Sequence, residues 1–238
     1  MSTIKRRIFV VGVGMTPFTK PGKNLTIDYP NLVESAVKQA LSDARLSYDR
    51  VQLAVTGYVF GDSTCGQRSL YQLGMTGIPV INVNNNCSTG STALYTASNA
   101  LLSGKFDCVM AVGFEKMERG ALGSKFKDRV APMDRHVELL IELEGLAPAA
   151  VTAQMFGAAG KEHMKLYGTN ELHFAKIAAK NHRHAANNPN AQLAQTDMDL
   201  QRELDSPKGH VYLTKLQCCP TSDGAAWAIL AREAFVRH

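Results

Sequence analysis

Two kinds of apolar segment alternate along the first 115 residues. Residues 8–13, 51–60, 78–83 and 108–114 are short, nearly continuous apolar runs rich in β-branched side chains. That is the pattern of strands buried on both faces. Between them, two stretches carry apolar residues at helical spacing. Residues 30–44 place Leu32, Val33, Ala36, Val37, Ala40, Leu41 and Ala44 on one face, and residues 88–103 do the same with Ala93, Leu94, Ala97, Ala100 and Leu101. Asp28 stands where a helix cap belongs, Pro30 suits a first turn, and Gly104 follows the second helix as a stop. Strands alternating with helices predict an α/β fold in layers, a mainly parallel sheet flanked by helices on both faces.

After Glu115 the character of the chain changes. Residues 117–215 are richer in charge, His and Asn, and they read as mostly helical, with one helix from near Pro148 to Gly168 and another from Thr169 to before Asn187-Asn-Pro189. The strand-like pattern returns with the turn cluster Pro220-Thr-Ser-Asp-Gly224 and the apolar run 225–231. This predicts a sheet domain over residues 1–116 and 216–238, interrupted by an inserted, mostly helical loop domain over 117–215. Gly12-Val-Gly14 is not a dinucleotide fingerprint, because Pro17 occupies the third glycine's place and no helix opens there. A strand ending in a tight turn is expected instead.

Composition removes several function classes. With 45% apolar and 20% charged residues, the chain has material for a real core and lacks the makeup of a disordered one. No apolar run approaches the ~18 residues of a membrane-spanning helix, so stable membrane insertion is not expected. The net charge of +5 comes from scattered basic residues without an aromatic platform, which argues against nucleic acid as a partner. The five cysteines, at 65, 87, 108, 218 and 219, include no Cys-x-x-Cys pair. His182 and His184, two apart on a helix, diverge, and Cys218 and Cys219 would point to opposite faces of a strand. No metal site is expected, and the thiols read as reduced and intracellular. The basic start, Met1-Ser-Thr-Ile-Lys-Arg-Arg7, is not followed by a signal-peptide core, and no targeting signal is readable.

The most informative segment is Ile81-Asn-Val-Asn-Asn-Asn-Cys-Ser-Thr-Gly-Ser91. A strand stops in three asparagines, and a cysteine stands where a helix begins. Asparagine tolerates turn and left-handed backbone and caps helices through its side chain. A cysteine in a first helical turn meets the positive end of the dipole and unpaired N–H groups, a setting that favours the thiolate. The small residues that follow leave room for an acyl chain beside the sulfur. Cys65, Cys108, Cys218 and Cys219 lack this strand–turn–helix setting, and Cys108 reads as core.

This segment resembles the nucleophile segment of the thiolases, in the branch that animals fuse to a sterol carrier domain. The likeness continues in family order through Val10-Val-Gly-Val-Gly-Met15, Gly57-Tyr-Val-Phe-Gly-Asp-Ser-Thr-Cys-Gly-Gln-Arg68, Gly74-Met-Thr-Gly-Ile-Pro79, Gly113-Phe-Glu-Lys-Met117, Gly160-Lys-Glu-His-Met164 and Leu216-Gln-Cys-Cys-Pro-Thr-Ser-Asp-Gly224. The resemblance implies a dimeric enzyme of lipid metabolism that acts on acyl-CoA thioesters, with coenzyme A as substrate and no resident cofactor. It implies that Cys87 takes the acyl group from a 3-ketoacyl-CoA and that free CoA then removes it. It places Met155 near the acyl pocket, and Cys219 and Ser222 on a loop close to the pantetheine arm. His163, mid-helix among Lys and Glu, reads as a solvated or capping residue. The resemblance implies the peroxisome as compartment, with mitochondrion and cytoplasm as alternatives.

The sequence also departs from the family pattern. A thiolase has two similar α/β halves, and His238 falls about where the second would begin. The histidine and acid/base cysteine of that half, in Gly-His-Pro and His-Asp-Cys-Phe motifs, have no counterpart here. The expectation is a truncated product, isoform or partial gene model, with surface that the second half covers left facing water. The alternatives are a non-catalytic half-thiolase that binds acyl-CoA or pairs with another chain, and a ketoacyl synthase on the same fold.

Overall fold

A computed structural model describes residues 7–117, 123, 126–194 and 198–237. The basic start of the chain, residues 1–6, lies outside these. The chain forms two compact units, Met1–Ala121 with Thr221–His238, and Leu122–Pro220.

In the first unit, β1 (Ile8–Met15) leads to α1 (Tyr29–Ala44), β2 (Ala54–Gly57), the short α2 (Cys65–Leu70), β3 (Val80–Val83), α3 (Thr89–Leu102) and β4 (Cys108–Glu115). The expected tight turn after Gly12 does not form. The strand runs on to Met15, because glycine here serves packing: a Cβ on Gly14 would overlap the Ala36 carbonyl, and one on Gly12 would meet Ala44. α1 therefore lies close against β1. Its N-terminus follows the sequence, with the Asp28 carboxylate accepting from the Tyr29 amide at 2.7 Å and the Asn31 side chain accepting from the Asp28 amide at 3.1 Å.

The second unit contains α4 (Asp134–Glu144), α5 (Val151–Tyr167), α6 (Glu171–Ala185), α7 (Leu200–Asp205) and a small hairpin of β5 (Lys208–His210) with β6 (Leu213–Thr214). Buried Gln154 ties the start of α5 to its entry loop, donating to the carbonyls of Ala147 and Ala149 and accepting from the Ala147 amide. The Tyr212 ring lies over Gly160 and stacks on Phe174 at 4.5 Å. His182 is buried on α6 with its Nε2 2.9 Å from the Leu216 carbonyl, while His184 faces solvent, so the two diverge as the helical spacing requires. Among the described residues no cluster of His, Cys, Asp or Glu has metal-site geometry, and no helix is long and apolar enough to cross a membrane.

The chain then returns to the first unit as β7 (Gly224–Arg232), closed by α8 (Glu233–Val236). The five-stranded sheet has the order β1-β7-β4-β2-β3. β2 pairs in parallel with β3 and β4, and β7 runs antiparallel to both β4 and β1. The sheet is thus mixed, four strands in one direction and one against them. One face buries Met110, Val112, Trp227 and Ile229 beneath Val33, Ala36 and Val37 of α1. The other buries Val55, Val109 and Leu230 beneath Ala93, Ala97 and Leu101 of α3. Each buried Val, Leu, Ile or Met among them contributes roughly 1.5–3 kcal/mol of transfer free energy.

α3 is covered along that one stripe alone. Leu94, Tyr95 and Leu102, on its other sides, are 40%, 69% and 47% exposed.

Candidate functional site

β3 ends at Val83, and the three asparagines turn the chain into α3. Asn86 adopts left-handed backbone, φ 47°, which this residue type tolerates better than most. One 3₁₀ turn, Asn86–Ser88, precedes the helix proper. Its hydrogen bonds use the amides of Ser88, to the Asn85 carbonyl, and Thr89, to the Asn86 carbonyl. The Cys87 amide is outside that pattern, as first-turn amides are. Side chains brace the turn: Thr89 Oγ1 accepts from the Asn85 amide at 2.8 Å and donates to the Asn86 carbonyl at 2.6 Å. The Asn85 side chain donates to Thr92 Oγ1 at 3.1 Å. Cys87 itself is exposed.

Two neighbours set the height of this turn above the sheet. Gly57, the last residue of β2, lies under Thr89, and a Cβ there would come within 2.8 Å of Thr89 Cγ2. Gly113 on β4 lies under Gly90 more loosely, where an added Cβ would make ordinary contact with the Gly90 Cα at 3.5 Å. Beyond Gly90 there is open space. Cys87 thus stands at the carboxyl edge of three parallel strands, where ligands bind in open α/β sheets.

The same edge holds two carboxylates that no local periodicity marks in the sequence. Glu115, ending β4, accepts from the Val59 and Phe60 amides at 3.0 and 2.9 Å, one on each oxygen. Burial pushes its carboxyl up, and nearby Asp223 adds to the shift, while the two amides pull it down. Asp223, buried just before β7, accepts from the Met117 amide at 2.7 Å and pairs with Lys116 at 2.9 Å. Both lie in segments that carry the family likeness, Gly113–Met117 and Leu216–Gly224. A single acid at a strand end has no periodicity to mark it, which is why their roles were not visible.

The four expected site residues fall in both units. Ser222, half-buried beside Asp223, shares with Cys87 the first unit and the same sheet edge. Met155 is half-buried on α5, and Cys219 is exposed beyond the turn Lys215–Gln217, both in the second unit. Cys218 and Cys219 do not lie in a strand as expected. Thr214 caps that 3₁₀ turn by accepting from the Gln217 amide, and the pair follows it in irregular chain. Cys65 also departs from expectation: it opens α2 after a strand and loop, but it is buried. His163 is exposed, as a solvated residue would be, and its Nδ1 lies 2.9 Å from Thr169 Oγ1 just past the end of α5.

The family described as "Thiolase, N-terminal domain" matches residues 8–203. The chain belongs to the thiolase family. Human sterol carrier protein 2 is 59% identical to it over 233 residues, which are 98% of this chain and 42% of that protein. The chain therefore spans less than half the length of this relative. Two solved structures share the thiolase-like fold. The Ltp2-ChsH2(DUF35) aldolase superposes with a TM-score of 0.76 at 22% identity, over 97% of this chain and 56% of that one. Human mitochondrial 3-ketoacyl-CoA thiolase, in complex with CoA, gives 0.68 at 21%, over 98% and 66%.

Proposed function

We propose that this chain carries the acyl-accepting half of a thiolytic acyltransferase, with the Cys87 thiolate as nucleophile. The observation that carries the reading is an exposed cysteine in the turn that opens α3, at the carboxyl edge of parallel strands, with its amide outside the turn's hydrogen bonds. The thiolate attacks the C3 carbonyl of a 3-ketoacyl-CoA. The bond between C2 and C3 breaks, C2 takes a proton as acetyl-CoA leaves, and the acyl group stays on Sγ as a thioester. The thiolate of free CoA then attacks that thioester, releases the shortened acyl-CoA and restores Cys87. The Cys87 amide donates to the oxyanion of each tetrahedral intermediate. By likeness to the family, Met155, Cys219 and Ser222 are assigned to the acyl and pantetheine path, and CoA enters as substrate.

The histidine that activates the thiol and the cysteine that protonates C2 are assigned to the part of the longer relatives beyond the matched region. Working as a homodimer in the peroxisome is part of the same proposal and rests on the thiolase-family resemblance of the sequence. The test is protection: a 3-ketoacyl-CoA such as acetoacetyl-CoA slows iodoacetamide labelling of Cys87, and of Cys219 on the pantetheine path, relative to the chain alone. Equal labelling with and without the ligand counts against the reading.

The exposed apolar side of α3, at Leu94, Tyr95 and Leu102, favours a second reading. In it the chain binds acyl-CoA and pairs with another polypeptide without turning over by itself. Protection of Cys87 without thioester formation separates this reading from the first.

A further inference from the structure

We propose that Glu115 is a positioning residue for Cys87, its carboxylate clamping the loop that starts at Gly57 so that the nucleophile's turn is held for acyl transfer. This rests on the acyl-transfer reading above. The loop from Gly57 to Thr64 leaves β2, and its first residues support the Cys87 turn directly. Gly57 lies against Thr89, and the Tyr58 amide donates to the Val83 carbonyl at 3.4 Å, where β3 gives way to the asparagines. The next two amides, of Val59 and Phe60, go to the two oxygens of Glu115. They have no strand partner, so the chain just beyond β2 is fixed by a side chain and not by a sheet ladder.

Two N–H groups on two oxygens is an arrangement that suits an ionised carboxylate, which accepts on both. A glutamine in its place presents one acceptor and one donor, and the donor opposes an amide. An aspartate keeps the charge and loses one methylene of reach. The charged groups facing the clamp are Asp223, at the start of β7, and Lys116, next along the chain and itself held by Asp223. Asp223 fixes the chain just beyond β4 through the Met117 amide, so the loops that leave β2 and β4 are each held by an acid.

The effect on Cys87 is through geometry. Displacements of ~1 Å in a group held for attack lower rates by on the order of a hundredfold. Iodoacetamide needs only an exposed thiol, whereas acetyl transfer needs the thiol, the carbonyl and the oxyanion donor aligned. The two reagents therefore separate positioning from simple loss of structure.

The experiment compares the full chain with Glu115→Gln and Glu115→Asp at neutral pH. Three quantities are measured: hydrogen exchange in the peptide over residues 58–64, the rate of Cys87 acetylation by acetyl-CoA, and the rate of Cys87 alkylation by iodoacetamide. In Glu115→Gln the loop exchanges about tenfold faster or more. Acetylation falls about tenfold or more, and alkylation changes by less than about twofold. Glu115→Asp lies between, and covers the case in which the glutamine variant does not fold. Unchanged loop exchange overturns the clamp. Unchanged acetylation, or acetylation and alkylation falling together, overturns the positioning role. If wild-type Cys87 is alkylated but never acetylated, it is the acyl-transfer reading that fails, and the exchange data still decide the clamp.

Discussion

Gly57 and Thr89 touch across the gap between the sheet and α3, with no space for a side chain on the former. This contact sets how close the Cys87 turn sits to the end of β2. Gly57→Ala forces Thr89 and the first turn of α3 outward, at a cost of about 1–3 kcal/mol, as for other insertions into packed sites. The lowered urea midpoint measures that cost, and slower acetylation of Cys87 shows that the turn has moved.

Asn86 holds left-handed backbone immediately before the cysteine. Alanine in that conformation costs roughly 1–2 kcal/mol, and glycine is relieved of most of it. Asn86→Gly should therefore melt closer to the wild type than Asn86→Ala does. Thermal unfolding of the three proteins checks the order, and an alanine variant as stable as the glycine one contradicts it.

The five thiols should separate in labelling. Cys87 and Cys219 are exposed, Cys218 is half-buried, and Cys65 and Cys108 are buried. Burial pushes the Cys108 thiol up to about 11 and raises that of Cys218 as well. Iodoacetamide at neutral pH should modify Cys87 on the order of tenfold or more faster than Cys65 or Cys108, which react only as the chain unfolds. Peptide mapping over a time course gives the order directly.

Glu115 makes stability depend on pH with a definite sign. Its carboxyl is raised in the folded chain, so the native state holds that proton more tightly than the unfolded chain does. The stability this contributes is full below the ordinary glutamate range and is withdrawn as pH rises through the raised native value. Urea midpoints between pH 4 and pH 8 should show the wild type losing ground to Glu115→Gln as pH increases. A gap that widens in the other direction contradicts the assignment.

These sites show why part of the molecule was legible and part was not. α1 was readable because Asp28, Pro30 and the apolar spacing from Leu32 to Ala44 are all local. The turn around Cys87 was readable for the same reason, since strand, asparagines and helix are contiguous. The second strand was expected over residues 51–60 but forms only at Ala54–Gly57. The Val51 amide closes a turn onto Tyr48, and those of Val59 and Phe60 go to Glu115, more than fifty residues away. Partners at that separation leave no trace in periodicity. The direction of β7 was hidden likewise, because it depends on where the chain re-enters the sheet after the second unit. α4 went unseen because Met133 offers no side-chain cap and Leu140 is its only buried residue.

The central claim is that Cys87 accepts an acyl group from a CoA thioester. The most direct measurement is peptide mass spectrometry of the chain after incubation with acetyl-CoA. The account predicts one acetyl group on the peptide carrying Cys87, removed by added CoA and absent from Cys87→Ala. Acetyl groups spread over Cys87, Cys218 and Cys219 alike, or a Cys87 that iodoacetamide modifies and acetyl-CoA does not, would contradict it.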